Sequence, residues 1–315
     1  MSEVPVNELI ADMPDEVYHG LSGSYSSSQL KDMLKDPEIF YKKYITKEIP
    51  RLNIPAFAVG TYFHTAVLEP HKLHETCAVY EGARRGAKWD EFQAANENKA
   101  IITKTEHVKA KLIIDAVHAS PMAMDYVNSG DAEVSAFIEI YVFYGEVFAA
   151  KGKQGFRLDE GGWTKVAAKA IKAAIADGVK LTIKVRADIL GEEGYVGDLK
   201  STTGNVKDRM ELAKKVSNYD YDLSASLYLD IFTFVTGKLY NKFIWIWAAK
   251  DTGMCSNSIA STRNMMVGRA KYKKALVMIA YYITNEWEFN EELLVVEPTF
   301  YDEREWLVKA DEDEL

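Results

Sequence analysis

Two aspartates and one lysine in the middle of the chain have the residue types and spacing of a metal-dependent hydrolase. Apolar and polar residues alternate over 181–189, which includes Asp188, and a glycine-bounded segment at 191–194 leads to Asp198 and Lys200. Strict alternation is typical of a half-buried β-strand, and a glycine-containing break between two such runs predicts a hairpin turn. The three side chains should therefore lie on two neighbouring strands.

The expected register of this hairpin brings the three side chains together. With a three-residue loop at 192–194, Asp188 lies opposite Asp198, and Lys200 lies two residues further along the same face. Two facing carboxylates repel each other unless a cation lies between them. Mg²⁺ or Mn²⁺ suits such oxygen ligands, and the lysine could orient or deprotonate a water that attacks a phosphodiester. An exposed hairpin with an Asp198–Lys200 salt bridge would show the same spacing.

The elements around this hairpin alternate between helices and strands. Helical spacing of apolar residues predicts a helix from Leu30 to a break at Pro37, a second helix after that break, and further helices at 56–68, 106–119, 164–176 and 219–235. β-Branched and aromatic runs predict strands at 133–143, 181–189, 195–201 and 243–249. This mixture predicts an α/β or α+β fold.

Charge is distributed unevenly along the chain. The net charge of −9 argues against a protein that coats nucleic acid. Residues 148–186, however, hold nine Lys or Arg against three acids, residues 252–285 hold no acid, and residues 286–315 hold twelve acids. Segregated charge fits a focused site for an anionic ligand, although solvated helix faces and an acidic tail would give the same pattern.

Composition excludes several kinds of protein. The hydrophobic content of 48% is enough for a packed core, and no run of about 18 apolar residues is present for a membrane span. The acidic N-terminal segment lacks the features of a signal peptide, so we expect a cytoplasmic protein. Cys77 and Cys255 are the only cysteines, which excludes a disulfide framework and a four-cysteine iron–sulfur site and supports no structural zinc site.

Three motifs occur in order along the chain: GTYFHTAVLEP at 60–70, KVRAD at 184–188 and DLKST at 198–202. They resemble the G-x-x-x-H-x-x-x-L-E-P helix, the K-V-R-P-D motif and the D-x-K-[ST]-T motif of the RecE family of DNA exonucleases, within the PD-(D/E)xK nuclease superfamily. Similar segments also occur at 18–19, 26–30, 37–41, 84–103 and 133–135. The likeness runs in the family's order from about Tyr18 to Ala249, with Ala187 in place of the usual proline.

The resemblance implies roles for individual residues. His64, Asp188 and Asp198 would be metal ligands, the carbonyl of Leu199 a possible further one, and Lys200 the residue that positions the attacking water. The implied cofactor is Mg²⁺ or Mn²⁺, with two ions at the site. Without the family context, His64 would more simply be a core residue of its helix.

Two further residues match the family, each with an alternative. Glu133 matches a family acid that would assist the metal or the water, and it could equally be a surface residue of a strand. Tyr228 could orient Lys200 or contact DNA, or it could pack in the core. The family usually carries Q-x-x-x-Y on this helix, whereas Ser224 takes the glutamine position, so that contact is in doubt.

The basic segments and the family motifs predict where DNA would bind. Phosphate contacts are expected from Lys165, Lys169, Lys172, Arg186, Ser201 and Thr202. Residues 144–180 are longer than the connection usual in such enzymes and are predicted to be a basic insertion that carries a lysine-rich helix. This insertion could guide DNA or form an oligomer contact.

The sequence thus predicts a single nuclease domain over 1–315, with a PD-(D/E)xK restriction-endonuclease-like core in which helices flank a central mixed sheet. Its parts are a helical N-terminal part with the histidine motif (18–130), the basic insertion (144–180), the catalytic hairpin, helix and strand (181–250), and an acidic tail (300–315). The tail is expected to be mobile at its end, where it could shield a basic channel, recruit a basic partner or only aid solubility.

The activity implied by the resemblance is hydrolysis of linear double-stranded DNA from an end, in the 5′ to 3′ direction, which leaves single-stranded DNA for recombination and repair. The implied setting is a bacterial or phage-infected cell. DNA ends, a single-strand annealing recombinase and further copies in a ring would be the partners, with no membrane. A single-strand, flap or structure-specific nuclease of the same superfamily is one alternative, and a catalytically decayed scaffold that binds DNA ends is another.

Overall fold

The computed structural model of the protein describes residues 6–50 and 55–289. Its strands are β1 (Leu9–Ile10), β2 (Ser24–Tyr25), β3 (Cys77–Tyr80), β4 (Ala100–Thr103), β5 (Gly130–Phe143), β6 (Glu146–Lys151), β7 (Gln154–Asp159), β8 (Gly162–Val166), β9 (Val179–Gly191), β10 (Tyr195–Thr202), β11 (Lys242–Ala249) and β12 (Cys255–Ile259). Its α-helices are α1 (Asp15–Gly20), α2 (Ser27–Lys35), α3 (Pro37–Phe40), α4 (Pro55–Leu68), α5 (Leu73–Thr76), α6 (Ala87–Ala95), α7 (Lys104–His118), α8 (Pro121–Asn128), α9 (Ala168–Asp177), α10 (Arg209–Asn218), α11 (Tyr221–Thr236) and α12 (Thr262–Thr284). A π-helical turn, Tyr41–Ile45, follows α3, and a 3₁₀ turn, Pro70–Lys72, follows α4.

Ten strands of the described chain form one mixed sheet. Eight of them follow the order β12-β11-β10-β9-β5-β6-β7-β8, while β1 pairs with β5 and β2 pairs with β9. The β10–β11 and β2–β9 pairs are parallel, and the other pairs in this sheet are antiparallel. β3 and β4 form a separate parallel pair.

Helices cover both faces of this sheet. On one face, α2, α11 and α12 pack over a core that includes Phe232 and Tyr272. On the other face, α4, α7 and α8 pack over a core that includes Phe63 and Ile246. Because each sheet face buries its apolar side chains against helices, the layers stabilise one another. This arrangement confirms the predicted α/β fold with a central mixed sheet flanked by helices.

Strand β9 has different neighbours along its two halves. On the edge opposite β5, it pairs with β2 at Thr182 and Ile183 and with β10 only at Ile189 and Leu190. Between these two pairings, that edge of β9 has no ladder partner among the described residues. The sheet therefore has a gap next to Asp188, where β9 and β10 separate.

Residues 144–180, the predicted basic insertion, form three strands before their helix. β6, β7 and β8 continue the central sheet beyond β5, and α9 begins only at Ala168. The helix prediction for 164–166 was wrong, because these residues belong to β8, where Lys165 lies opposite Phe156. Trp163 packs against the main core, which keeps the chain extended up to Val166 although its Ala/Lys-rich continuation favours a helix.

The acid-free segment that contains α12 is not a free basic surface. Three of its cations form ion pairs with acids from other elements: Arg269 with Asp230 at 2.7 Å, Lys271 with Asp222 at 2.9 Å, and Lys273 with Glu146 at 2.7 Å. Tertiary contacts thus neutralise much of a charge that is segregated along the sequence.

Across residues 6–50 and 55–289, no helix has both the length and the apolar character needed to cross a bilayer. The acidic tail predicted at 300–315 lies outside the described residues.

Candidate metal centre and active site

A tight turn joins β9 to β10 and sets the positions of the reactive side chains. Gly194, at φ +77°, lies in the left-handed region, and a Cβ atom there would be 2.4 Å from the carbonyl oxygen of Leu239. Its N–H donates to the carbonyl of Gly191 at 3.2 Å, which closes the loop. The ladder pairs Val196 with Leu190 and Gly197 with Ile189, in the register predicted from the sequence. Asp188 and Asp198 follow at the point where this ladder ends.

Asp188 lies between the hairpin and helix α4. Its Oδ2 atom accepts a hydrogen bond from the N–H of Leu199 at 2.7 Å and lies 3.4 Å from the Nδ1 atom of His64. α4 can bring His64 this close because the preceding residue, Phe63, is fully buried against the sheet. The contact with Leu199 fixes the carboxylate of Asp188 relative to β10.

Three side chains from three different elements converge here. Ligand atoms of His64, Glu133 and Asp188 all lie within 4.8 Å of one another, and each residue is half-buried. Opposite ligands of a six-coordinate ion with bonds of about 2.1 Å are about 4.2 Å apart. The three residues therefore fit a divalent cation after small side-chain rotations. Two carboxylates with one imidazole suit Mn²⁺ as well as Mg²⁺.

Glu133 reaches this cluster because β5 is distorted at that residue. Its φ of +52° lies in the left-handed region, which costs a residue with a side chain about 1 kcal/mol. The β5–β9 ladder pairs Ala132 with Ile189 and Val134 with Ala187, but it does not pair Glu133 with Asp188. Backbone strain of this kind occurs often at functional sites, and here it accompanies a carboxylate directed toward His64.

Asp198 and Lys200 form a second group beside this cluster. The Nζ atom of Lys200 donates to Asp198 at 2.6 Å, and their side chains are 23% and 14% exposed, respectively. The sequence placed Asp198 with His64 and Asp188 as joint ligands. The structure brings Glu133, rather than Asp198, beside those two residues. Leu199, between Asp198 and Lys200, contributes its N–H to Asp188.

Burial and mutual repulsion raise the pKa of these acids. Burial, followed by the charge of Asp188, raises the pKa of Glu133 to about 8 against a smaller opposing effect of Arg186. Burial also raises the pKa of Asp198, although the ammonium of Lys200 opposes this shift. Carboxyl groups that resist ionisation together are stabilised by a divalent cation, since the cation removes their repulsion. The electrostatics therefore fit the same ion as the geometry.

The pKa of Lys200 is also raised, although burial acts on an amine in the opposite sense. Burial alone would lower the pKa of this amine, but Asp198 and Asp188 outweigh burial and raise it. The amine is consequently protonated near neutral pH. It can donate hydrogen bonds and stabilise negative charge, but it cannot accept a proton.

Helix α11 places Tyr228 next to the Asp198–Lys200 pair. Its ring packs edge-on against Phe243 at a centroid distance of 6.2 Å. Burial raises the pKa of its hydroxyl to about 12, against a hydrogen bond with Ser27. Ser224 is half-buried one turn earlier, so the helix presents no amide at the glutamine position.

Arg186, a predicted DNA contact, has several partners within the protein. Its guanidinium donates to the hydroxyl of Ser135 and the carbonyl of Met13, pairs with Asp15, and lies 4.2 Å from the ring centroid of Tyr18. With its side chain only 9% exposed, it connects the N-terminal segment to β9. Ser201 and Thr202 are half-buried at the end of β10.

The three lysines predicted to bind DNA phosphates lie far from the hairpin. Lys165 is on β8, Lys169 and Lys172 are on α9, and all three are exposed and form no ion pair within the described chain. β8 is four strands away from β9, which corresponds to about 19 Å at the usual strand spacing of about 4.8 Å. These lysines could contact a distant part of a DNA substrate, but they cannot contact a phosphate at Asp188.

Two residues beside the Asp198–Lys200 pair, Lys31 and Tyr221, were not predicted from the sequence. The Nζ atoms of Lys31 and Lys200 lie 5.2 and 5.1 Å from the centroid of the Tyr221 ring. Burial, followed by the charge of Lys200, lowers the pKa of Lys31 to about 8. The only signal for Lys31 in the sequence is that it directly follows the SSSQL segment at 26–30.

Comparison with known families matches part of this chain to a described domain. Residues 26–144 match the model of a family described as a PDDEXK-like domain of unknown function. This range contains α2, His64 and Glu133, and it ends before Asp188 and the hairpin. No curated protein is significantly similar to the chain in sequence.

Solved structures extend the comparison to the whole fold. The crystal structure of a "putative exonuclease" from Eubacterium rectale matches with a TM-score of 0.56 at 13% identity, over 93% of this chain and 97% of that chain. A second solved protein, SSO0001, matches over 69% of this chain and 85% of its own at 13% identity, with a TM-score of 0.25. The chain therefore shares its α/β fold with the first of these structures over most of both chains, and its residues 26–144 match a PDDEXK-like domain.

Proposed function

We propose that the chain is a metal-dependent DNA nuclease that hydrolyses linear double-stranded DNA from an end. The observation that carries this proposal is the convergence of His64, Glu133 and Asp188 beside the Asp198–Lys200 pair at a gap in the sheet. A set of hard ligands next to a fixed ammonium group is what metal-assisted hydrolysis of a phosphodiester requires. The PDDEXK-like family match and the shared fold support the same class of reaction.

Each side chain has a distinct task in this reaction. A divalent cation held by His64, Glu133 and Asp188 would supply charge neutralisation at the phosphate and a water of lowered pKa. Protonated Lys200 orients the attacking water and stabilises the negative charge that develops in the transition state. Asp198 holds that ammonium group at 2.6 Å and so keeps its direction. Because Lys200 is protonated, its role is orientation and charge stabilisation rather than removal of a proton.

The finer features of the proposal rest on the RecE-like motifs. They are Mg²⁺ or Mn²⁺ as cofactor with two ions, 5′ to 3′ degradation, a ring of identical subunits, and delivery of single-stranded DNA to an annealing recombinase. Single-strand or flap cleavage would use the same chemistry at the same site.

The decisive experiment compares the release of label from the two ends of a linear duplex. Duplexes labelled at either the 5′ or the 3′ end are incubated with the chain and Mg²⁺ or Mn²⁺, beside circular duplex, single-stranded and flap substrates. We expect early release of the 5′ label and no cleavage of circular duplex. The Asp188→Asn variant should be inactive, and Asp177→Asn, which removes an exposed acid from α9, should match the wild type.

The other outcomes identify the alternatives. Cleavage restricted to single strands or flaps would reassign the substrate within the same chemistry. Binding to DNA ends without cleavage in either metal would overturn the nuclease proposal and favour a scaffold.

A further inference from the structure

Two stacked tyrosines lie at the start of α11, next to the proposed active site. The ring centroids of Tyr219 and Tyr221 are 5.5 Å apart with an interplanar angle of 25°. Tyr221 is half-buried, whereas Tyr219 is 58% exposed. Tyr219 therefore buries only part of its ring, against Tyr221. The stack offers an exposed flat surface next to Tyr221, whose ring lies 5.1 Å from the Nζ atom of Lys200.

The chain between these two rings is strained and anchored. Asp220 has a φ of +49°, in the left-handed region, although it carries a side chain. Its carboxylate accepts from the Nζ atom of Lys271 at 2.8 Å, and the same ammonium group also binds Asp222 at 2.9 Å. α12 thus fixes the turn that presents the two rings. Strain that is held in this way often accompanies a functional position.

Two ammonium groups approach the inner ring of this stack. Lys31 on α2 and Lys200 on β10 lie about 5 Å from the Tyr221 centroid, so their Nζ atoms are at most about 10 Å apart. Within the described part of the chain, Lys200 is paired with Asp198, but Lys31 forms no ion pair and is half-buried. Burial and the ammonium group of Lys200 outweigh the nearby carboxylates of Asp198, Asp220 and Asp222 and lower the pKa of Lys31, so a further anion here would stabilise its charged form. A phosphate group would provide that anion.

We propose that Lys31 and the Tyr219–Tyr221 stack form a nucleotide subsite beside the reacting phosphodiester. Lys31 binds the phosphate next to the one that is cleaved, and the exposed ring of Tyr219 stacks on an unpaired base of the same strand. This inference rests on the proposed function and specifies its substrate as a strand end whose terminal bases have left the duplex. Stacking on aromatic rings tolerates any base, which suits a nuclease without sequence preference.

The test measures binding without cleavage. Oligonucleotides with 2-aminopurine at successive positions near one end are titrated with the chain in Ca²⁺, and quenching reports stacking of each base. Tyr219→Leu should abolish the quenching and weaken binding about tenfold, whereas Tyr219→Phe should retain both. Tyr144→Leu is the matched control, because Tyr144 is 91% exposed at the distant β5–β6 turn.

Lys31 is tested through the salt dependence of binding. Lys31→Gln should reduce the slope of log affinity against log salt by about one unit, as expected for the loss of one phosphate contact, and Lys31→Arg should restore it. Lys109→Gln, which removes an exposed charge from α7, should leave the slope unchanged.

Each result separates this inference from the proposed function. Wild-type quenching that is lost only in the Tyr219 and Lys31 variants supports the subsite, even if Mg²⁺ and Mn²⁺ support no cleavage. Wild-type cleavage with unchanged binding and quenching in both Tyr219→Leu and Lys31→Gln overturns the subsite and leaves the nuclease proposal intact. A wild-type chain that neither binds nor cleaves the oligonucleotides overturns both.

Discussion

Replacement of Glu133 by glutamine should stabilise the protein in the presence of a chelator and weaken its response to metal. Repulsion by Asp188 and burial hold the pKa of Glu133 at about 8, above its ordinary value of 4.5. The folded chain therefore binds a proton that the unfolded chain releases between these two pH values. Its stability falls as pH rises through that window, because ionised Glu133 is disfavoured in the folded state. Glutamine has no charge and avoids this loss.

The size of the effect follows from the pKa shift. A pH of 7 is about 2.5 units above the ordinary pKa of 4.5, at which the glutamate titrates in the unfolded chain. At about 1.36 kcal/mol per unit, the loss of stability caused by Glu133 at pH 7 has an upper limit of about 3 kcal/mol. Glu133 is half-buried, so solvent screening reduces this to about 1 to 2 kcal/mol. For a chain of this size the melting temperature of Glu133→Gln should rise by about 2 to 3 °C in chelator at pH 7. At pH 5 the difference should nearly vanish.

Thermal unfolding at pH 5, 6, 7 and 8, with chelator or with Mn²⁺, provides the measurement. Mn²⁺ should raise the melting temperature of the wild type, most strongly at pH 8, and should raise that of Glu133→Gln much less because one ligand charge is lost. Glu192→Gln removes an exposed acid from the β9–β10 turn and should behave as the wild type. If Glu133→Gln is no more stable in chelator at pH 8 and responds fully to Mn²⁺, then Glu133 is not a ligand.

Three further variants test the division of roles. Asp188→Asn keeps an oxygen that can accept from the Leu199 N–H but removes the charge of a ligand. Mn²⁺-dependent cleavage should therefore fall more than about 100-fold while the fold is retained. Cleavage at the wild-type rate would refute the proposed site. Lys200→Ala should lower turnover by a similar factor, while its affinity for Mn²⁺, measured by calorimetry, should change little. Weakened Mn²⁺ affinity with normal turnover at saturating Mn²⁺ would make Lys200 a structural residue. Joint replacement of Lys165, Lys169 and Lys172 by glutamine should flatten the salt dependence of DNA binding by up to about 2.7 units, and an unchanged slope would assign these lysines to an oligomer contact or a solvated face.

Local patterns were sufficient to predict the hairpin. Alternation over 181–189 and the glycines at 191 and 194 determine both strands and the loop length, and the observed pairs Val196–Leu190 and Gly197–Ile189 have the predicted register. α2, α4, α7 and α11 were likewise predicted, because capping residues, apolar spacing and a terminal glycine act within one element. These features depend on neighbours in the sequence, so the sequence alone reveals them.

Features that depend on distant residues were not predictable in this way. The left-handed backbone at Glu133 has no turn signal such as glycine or asparagine, and its consequence, a carboxylate beside His64, needs the packing of β5, β9 and α4. The extended chain at Lys165 depends on the burial of Trp163 in the main core. The ion pairs of α12 likewise join residues that are far apart in the sequence.

The gap in the sheet explains why these groups collect at one point of β9. Toward the start of the strand β2 pairs with this edge, and toward its end β10 pairs with it, so the backbone at both ends is held in a ladder. At Asp188, helix α4 contributes His64, while Lys31 of α2 and Tyr221 of α11 lie near Lys200. A phosphate that enters the gap would meet the proposed ligands on one side and the ammonium groups of Lys200 and Lys31 on the other. Negative charge in the transition state would thus be balanced from both faces, which neither layer of helices could achieve alone.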